Sequence, residues 1–193
     1  MGRAFVYVDG LALYHSVRDG SYKWLNILLL AQLILKESGL SAELGDIHYF
    51  TAKFKDSAKD AEEQQIYLDA LERSNLGLTF HYGIFLRKNR DDEWEEKMTD
   101  VGIACQMISD RFTYDEEMEA VFLLSNDTDF VPALKAIRNA DKKAIMVALS
   151  SAYNKKLAQE ANSTQIMTPS KYKKCLLPDK IKVGKTLTRP EGW

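Results

Sequence analysis

The feature that most constrains the fold is a regular alternation of short apolar runs with longer segments of helical periodicity. The short runs are rich in β-branched and aromatic residues and predict strands at Ala4–Val8, Ile47–Ala52, Leu78–Phe85, Ala120–Ser125 and Lys143–Leu149. The longer segments carry apolar residues at helical spacing and predict helices at Leu25–Glu37, Ser57–Arg73, Lys97–Ser109 and Phe130–Asn139. Because the strand runs are apolar enough to be covered on both faces, they predict a three-layer α/β/α sandwich around a central, mainly parallel sheet.

The size of the chain predicts one domain with a short extension. Its 193 residues, 46% of them hydrophobic, can bury one sizeable core. We place the domain at residues 1–170. Residues 171–193 carry seven Lys and Arg against two acidic residues and lack periodicity, which predicts a basic C-terminal tail, extended or partly disordered. Such a tail could steer an anionic ligand toward a cleft or serve only as a solubilising or packing segment.

Charge and cysteine content exclude several classes of protein. The net charge of -2 rules out a basic field over the whole molecule, so any contact with nucleic acid must come from a local patch. Cys105 and Cys175 lie far apart without metal-ligand spacing, which predicts neither a zinc site nor a disulfide framework and fits a reducing, cytoplasmic location. No run of about 18 apolar residues occurs, so we expect no membrane partner.

Carboxylates follow two of the predicted strands. Asp9 comes directly after the first strand, and Asp127 and Asp129 follow the fourth. Ligands of such sheets bind beyond the carboxyl ends of the strands, near the point where strand order reverses. Asp100, near the start of the helix before the fourth strand, can face the same cleft. Three of the acids also have a structural explanation, since Asp9 and Asp129 could cap turns or helices and Asp100 could complement a helix dipole. Such an explanation fits Asp127 less well, because its neighbours already supply capping groups.

Gathered carboxylates predict a divalent cation. They repel one another unless a cation neutralises them, and Mg²⁺ or Mn²⁺ held by a few carboxylates and several waters does so. Such an ion can activate a water and stabilise the leaving oxygen in phosphodiester cleavage. The expected chemistry is therefore metal-assisted hydrolysis.

Basic and aromatic residues close to the predicted strand ends are candidates for substrate contacts. Arg87 and Lys88 leave the third strand and could contact phosphates, although a solvated loop explains either one slightly better. After the first strand, His15 could touch phosphate and Tyr14 could stack on an unpaired base.

Other catalytic patterns are absent from the sequence. It contains no P-loop, no G-x-G-x-x-G and no G-x-S-x-G, which argues against nucleotide binding by a glycine-rich loop and against serine hydrolysis. His48 and His81 lie within strand runs beside aromatic residues, which favours a hydrogen-bonded packing role over catalysis.

Three blocks of the chain resemble the NYN domains of the PIN-like superfamily, particularly the LabA/DUF88 branch. The blocks are VYVDGLALY, KMTDVGIACQM and VFLLSNDTDFVPALKAIRNADKKAIMVAL, and the resemblance spans roughly residues 3–168. It implies a PIN-like fold, a divalent-metal site and ribonuclease activity. By motif position it implies an acidic cluster of Asp9, Asp100, Asp127 and Asp129. It also implies that Ser125 and Asn126 line this cluster and that Lys97 is the basic residue before Asp100.

The predicted function is that of a metal-dependent endoribonuclease acting on single-stranded or loop RNA, with one Mg²⁺ or Mn²⁺ ion or two. Two positions favour an alternative, a catalytically weak RNA-binding or regulatory NYN module. Ala12 stands where the family usually has Asn, and Gln106 stands where many members have an acid. Gln106 also favours a single ion. The sequence leaves the RNA target and a homodimer open.

Overall fold

The computed structural model describes residues 2–55, 57–74, 76–88 and 93–193. Strands and helices alternate along most of these residues. In chain order the elements are β1 (Gly2–Asp9), α1 (Gly10–Val17), α2 (Ile27–Ser38), β2 (Ala42–Thr51), α3 (Ala58–Arg73), β3 (Leu78–Tyr82), β4 (Ile84–Lys88), β5 (Glu93–Lys97), α4 (Thr99–Thr113), β6 (Met118–Leu124), a 3₁₀ helix (Thr128–Phe130), α5 (Val131–Asn139), β7 (Lys143–Ala148), α6 (Lys155–Glu160), β8 (Ser163–Ile166), α7 (Pro169–Lys174), β9 (Lys180–Val183) and β10 (Lys185–Thr188). Within these ranges, every helix is too short or too polar to cross a bilayer.

A six-stranded sheet in the order β3-β2-β1-β6-β7-β8 forms the centre of the protein. Every neighbouring pair in this sheet is parallel. From β1 the chain builds outward through β2 and β3, and it then returns to the other side of β1 for β6, β7 and β8. The strand order therefore reverses between β1 and β6, where a parallel sheet leaves a crevice beyond its carboxyl edge. The predicted α/β fold with a parallel central sheet is confirmed.

Helices cover both faces of the sheet, as the central strand shows. Along β1, Ala4, Val6 and Val8 pack into the core cluster that contains side chains of α1, α2 and α3. Phe5 and Tyr7 point the other way and join side chains of α4 and α5. All five side chains are fully buried. Burial on both faces explains why the strand reads as an unbroken apolar run rather than an alternating one.

The predicted strand Leu78–Phe85 is two strands that separate at Gly83. A Cβ atom at this position would overlap Glu96 Oε1 and lie 2.5 Å from Thr99 Oγ1, so only glycine permits the close approach. β4 leaves the sheet here and pairs antiparallel with β5. The helix that was predicted from Lys97 consequently begins at Thr99.

The C-terminal segment 171–193 packs on the domain instead of extending as an arm. It contains the end of α7 and the antiparallel hairpin of β9 and β10. The Trp193 ring packs against Trp24 and Tyr67, with centroid distances of 6.5 and 5.2 Å, and its Nε1 donates to Glu63 Oε2 at 2.9 Å. The prediction of an extended or partly disordered tail was wrong, because exposed lysines here alternate with buried apolar side chains over strands too short to show a period.

Truncation of Trp193 to alanine is expected to lower the free energy of unfolding by about 3 kcal/mol, because it empties a buried aromatic site. Urea denaturation followed by circular dichroism measures this loss. Trp193→Phe keeps one ring in the site and loses the N–H bond to Glu63 and part of the buried ring volume, so it should cost less than Trp193→Ala. An unchanged free energy of unfolding for Trp193→Ala would show that the terminus does not pack as described.

Candidate active site

Asp9 ends β1 at the point where strand order reverses, and two hydrogen bonds fix its carboxylate. Oδ1 accepts from the backbone N–H of Ala12 at 2.9 Å and so caps α1. Oδ2 accepts from the Ser125 hydroxyl, also at 2.9 Å, and Ser125 follows the neighbouring strand β6. The side chain is 6% exposed. The capping role that the sequence allowed for Asp9 is present, and it holds the carboxylate at the crevice.

The loop after β6 presents the next two acids. Asp127 Oδ1 accepts from the backbone N–H of Asp129 at 2.9 Å and caps the 3₁₀ helix, while the N–H of Asp127 donates to Ser125 Oγ at 3.2 Å. Asn126 Oδ1 accepts from the N–H of Leu149 at 3.3 Å, which ties the loop to the chain after β7. Ser125 and Asn126 therefore brace this loop. Asp127 and Asp129 are exposed on it.

Asp100 lies in the first turn of α4. The helix starts directly after Met98, whose φ of 83° places a non-glycine residue in the left-handed region. That conformation costs about 1–2 kcal/mol. It lets the chain turn sharply from β5 into α4, which directs the start of the helix, and with it Asp100, toward the crevice.

Glu96 is a further carboxylate at this site, and the sequence analysis missed it. It accepts from the backbone N–H of Thr99 at 3.1 Å and from the Thr99 hydroxyl, so it pairs with the first N–H of α4. In the sequence it belongs to the acidic run Asp91–Glu96, where nothing distinguishes it from its neighbours. Its position three residues before a helix start was the available signal, but only if that start had been placed at Thr99.

Electrostatics show how closely these acids gather. Burial raises the pKa of Asp100 to about 6, together with the negative charges of Asp9, Asp127, Glu96 and Asp129. Burial also raises the pKa of Asp9, and Asp127 and Glu96 add to the rise, against the two hydrogen bonds described above. The structure thus brings the four predicted aspartates within interacting distance and adds Glu96. These five residues are called the acid cluster below.

The acid cluster has the donor chemistry of a hard, hydrated dication. Among the residues described, no three His, Cys, Asp or Glu side chains are arranged to hold a metal ion directly. Mg²⁺, however, is usually held by one or two carboxylates and keeps several waters. The oxygens of Asp9 each accept one hydrogen bond and retain another lone pair. The residues present therefore fit an ion bound through one or two carboxylates and water.

A cleft of about 360 Å³ beside the acid cluster contains both α1 candidates. Tyr14 and His15 line it together with Arg18, Phe54 and Glu96. His15 Nδ1 lies 3.3 Å from an Arg18 guanidinium nitrogen. Burial and the Arg18 charge lower the pKa of His15, against the opposing effect of Asp9, so the imidazole is neutral at pH 7. Glu96 joins this cleft to the acid cluster.

Three of the predicted substrate-binding cations belong to the β4–β5 hairpin. Lys97 pairs with Glu95, with 2.7 Å between Nζ and Oε1, rather than with Asp100. Arg87 is exposed on β4. Lys88 ends the same strand, and its side chain lies outside the described part of the structure. Lys97 thus places its positive charge on Glu95, which directly precedes Glu96 in the sequence.

A family model for the NYN domain matches residues 3–168, which is most of the chain. The chain belongs to the NYN domain family. This agrees with the resemblance of the three sequence blocks and with the parallel sheet. NYN domains belong to the PIN-like superfamily, and they are a nuclease-type family that acts on RNA.

Two further comparisons place this NYN domain among known proteins. It is similar to the 6-hydroxy-3-succinoylpyridine 3-monooxygenase HspA of Pseudomonas putida (strain DSM 28022 / S16), with 27% identity in an alignment that covers 99% of this chain and 75% of that protein. It is also similar to the crystal structure of a protein of unknown function from Vibrio parahaemolyticus RIMD 2210633, with a TM-score of 0.62 and 16% identity, covering 91% of this chain and 96% of that one. The second likeness shows the fold alone.

Proposed function

We propose that this NYN domain is a metal-dependent endoribonuclease that hydrolyses RNA phosphodiester bonds at the acid cluster. One observation carries the proposal: carboxylates from β1, β5, α4 and the loop after β6 lie near enough to one another, where strand order reverses, for their charges to help raise the pKa of Asp100 to about 6. Like charges at such a site destabilise the protein unless a cation neutralises them. The family supports the nuclease class, and the charge arrangement supports the metal.

Each residue of the site has a role in this proposal. Mg²⁺ or Mn²⁺ bound through one or two carboxylates supplies a Lewis acid and an activated water. Ser125 and the N–H of Ala12 hold the carboxylate of Asp9 in a fixed orientation. Asp127 is held in the same way by the N–H of Asp129. The carboxylate of Asp100 is suited to accept a proton from the attacking water, because its pKa lies close to neutral.

The cleft beside Glu96 supports single-stranded RNA as the substrate. The aromatic rings of Tyr14 and Phe54 lie 4.9 Å apart between centroids and form part of its wall. Unpaired bases stack on such rings. Arg18 in the same wall can contact a phosphate. A paired helix presents no free base faces, so these features favour unpaired RNA.

The proposal is tested by incubating the purified protein with circular single-stranded RNA and Mn²⁺ or Mg²⁺. A circle has no ends, so its conversion to a linear product demonstrates internal cleavage. We expect linear product with either ion, none with EDTA, and little from fully paired RNA. Cleavage that persists in EDTA would contradict a metal-dependent reaction at the acid cluster.

A second candidate, an RNA-binding or regulatory NYN module, is favoured by two side chains. Ala12 offers only its backbone N–H to Asp9. Gln106 donates its amide to Asp110 Oδ1 at 2.8 Å and adds no charge to the acid cluster. If this candidate is correct, the protein binds RNA without turnover, and Ala12→Asn should then raise the cleavage rate from background.

The monooxygenase name of the Pseudomonas relative calls for one additional assay. The same preparation is incubated with 6-hydroxy-3-succinoylpyridine in air, and its consumption is followed by mass spectrometry. We expect no consumption. Conversion of that compound together with an absence of RNA cleavage would overturn the nuclease proposal.

A further inference from the structure

A second cavity, of about 560 Å³, lies between the edge strand β3 and helix α4. Its volume suits one nucleotide. The lining combines aromatic rings with short polar groups and includes Phe50, His81, Tyr82, Thr99, Cys105 and Gln106. Its described lining contains no lysine or arginine. The cavity is therefore suited to a neutral, planar, polar ring rather than to a phosphate.

A chain of hydrogen-bonding groups runs from the protein interior to this cavity. At its inner end the carboxylate of Asp110, 4% exposed, accepts from the Tyr7 hydroxyl at 2.7 Å and from Gln106 Nε2 at 2.8 Å. His48 Nε2 lies 3.1 Å from Asp110 Oδ2. His48 Nδ1 in turn lies 3.0 Å from His81 Nε2. His81 is the outer end of the chain and lines the cavity.

The order of donors and acceptors among these hydrogen-bonding groups determines whether His81 Nδ1 donates or accepts in the cavity. Burial alone would raise the pKa of Asp110, but the nearby His48 ring and hydrogen bonds from Tyr7 and Gln106 hold it below its ordinary value. The ionised carboxylate only accepts, so His48 Nε2 carries a hydrogen. When this Nε2 hydrogen is the only one on the His48 ring, His48 Nδ1 accepts from His81 Nε2, and His81 Nδ1 keeps a lone pair.

Two features hold the His81 ring in place and neutral. It stacks on Phe50 with the planes 9° apart and the centroids 4.2 Å apart. Burial and the neighbouring His48 lower the pKa of His81, against the weaker opposing effect of Asp110. Among the described residues, none donates a hydrogen bond to His81 Nδ1. In this tautomer the cavity contains an oriented acceptor beside aromatic walls.

We propose that this cavity binds a nucleobase whose N–H group donates to His81 Nδ1. Thr99 and Gly102 line the cavity and flank Asp100 in the sequence, so the cavity adjoins the acid cluster along α4. A base bound there belongs to the RNA strand whose phosphate reaches the acid cluster, and this last step rests on the proposed endoribonuclease function. His81 is then a residue that selects and positions the substrate, and its role is not packing alone.

The two thiols of the protein provide a test that does not depend on activity. Cys105 is exposed and lines the cavity, whereas Cys175 is buried. Rapid labelling by an aromatic disulfide reagent therefore reports on Cys105, and Cys105→Ser should remove the rapid phase. In EDTA, saturating uridine 5′-monophosphate or guanosine 5′-monophosphate is expected to slow this phase at least fivefold. Ribose 5-phosphate, which has the sugar and phosphate but no base, should not slow it.

Ligand and protein variants isolate the hydrogen bond. N3-methyluridine 5′-monophosphate lacks the N–H donor, so it should protect Cys105 from labelling at least about tenfold more weakly than uridine 5′-monophosphate does. His81→Phe keeps a ring on Phe50 but lacks Nδ1, and it should weaken protection to the same extent. Thr79→Val, an exposed change two residues earlier on the same strand and outside the cavity, should leave protection unchanged.

The outcomes separate this inference from the proposed function. If a short single-stranded RNA protects Cys105 from labelling at lower concentrations than free nucleotides do, the bound base belongs to an RNA strand. If free nucleotides protect Cys105 at lower concentrations than the RNA does, the site binds free nucleotides. A protein that cleaves RNA but shows no protection by any base overturns the cavity assignment alone. A protein that shows protection but never cleaves RNA retains the nucleobase site and loses the nuclease proposal. Equal protection by the methylated and parent nucleotides overturns the role of His81.

Discussion

Replacing Asp127 with asparagine is expected to lower metal-dependent RNA cleavage at least about a hundredfold without disturbing the fold. In the protein, Asp127 Oδ1 accepts a hydrogen bond from the backbone N–H of Asp129. The amide oxygen of asparagine can accept the same bond, so the 3₁₀ helix keeps its cap. What is lost is one negative charge of the acid cluster. Without metal the variant should melt no lower than the wild type, because one source of repulsion has been removed.

The measurement is kcat/KM on single-stranded RNA, with the melting temperature as the check on folding. Asp115→Asn is the matched control, since Asp115 pairs with Arg111 and Lys142 near the start of β6, at the opposite end of the strand from the acid cluster. It should leave kcat/KM unchanged. A folded Asp127→Asn protein that cleaves at the wild-type rate would remove the acid cluster from the reaction.

How well each element could be predicted from sequence depended on its burial. β1, β6 and β7 are covered on both faces and read as apolar runs, so their positions followed directly. β8 at Ser163–Ile166 was missed, because this edge strand is short, polar and only partly buried. α1 at Gly10–Val17 was also missed, since eight residues are too few to establish a helical period.

The acid cluster followed from topology, and its missing member was hidden by local structure. Parallel strands end at the same edge of a sheet, so an acid after β1 and acids after β6 had to be close once those strands were neighbours. Glu96 reaches the site only because the chain leaves the sheet at Gly83 and returns through β5. That path depends on a contact between Gly83 and Glu96, which are distant in sequence. No periodicity or local composition encodes such a contact.

The second large effect concerns Asp100 and the pH. Its pKa is raised from 3.8 to about 6, first by burial and then by the neighbouring acids. Below about pH 4 the carboxyl is neutral in the folded and unfolded chains, and above about pH 6 it is ionised in both. Asp100 therefore contributes its full stability at low pH and loses it as the pH rises through about 6. Because the side chain is partly exposed, solvent screening reduces this contribution to about 1 kcal/mol.

Asp100→Asn separates this contribution from those of all other titrating groups. At pH 7 the metal-free variant should melt about 2–4 °C above the wild type, and at pH 4 the two should coincide. Melting curves between pH 4 and pH 7.5 in EDTA measure the difference. A difference that stays constant across this range would show that Asp100 is not crowded by the acid cluster.

Metal binding should reverse the order of the two proteins. Mn²⁺ binds ionised carboxylates and competes with protons, so it should raise the melting temperature of the wild type more at pH 7 than at pH 5. Asp100→Asn should gain less at pH 7, and its gain should depend less on pH. The acids that destabilise the free protein would then be the same groups that bind the ion. Equal stabilisation of both proteins by Mn²⁺ at every pH would place the ion elsewhere, because only an ion held by the acid cluster can relieve the repulsion that raises the pKa of Asp100.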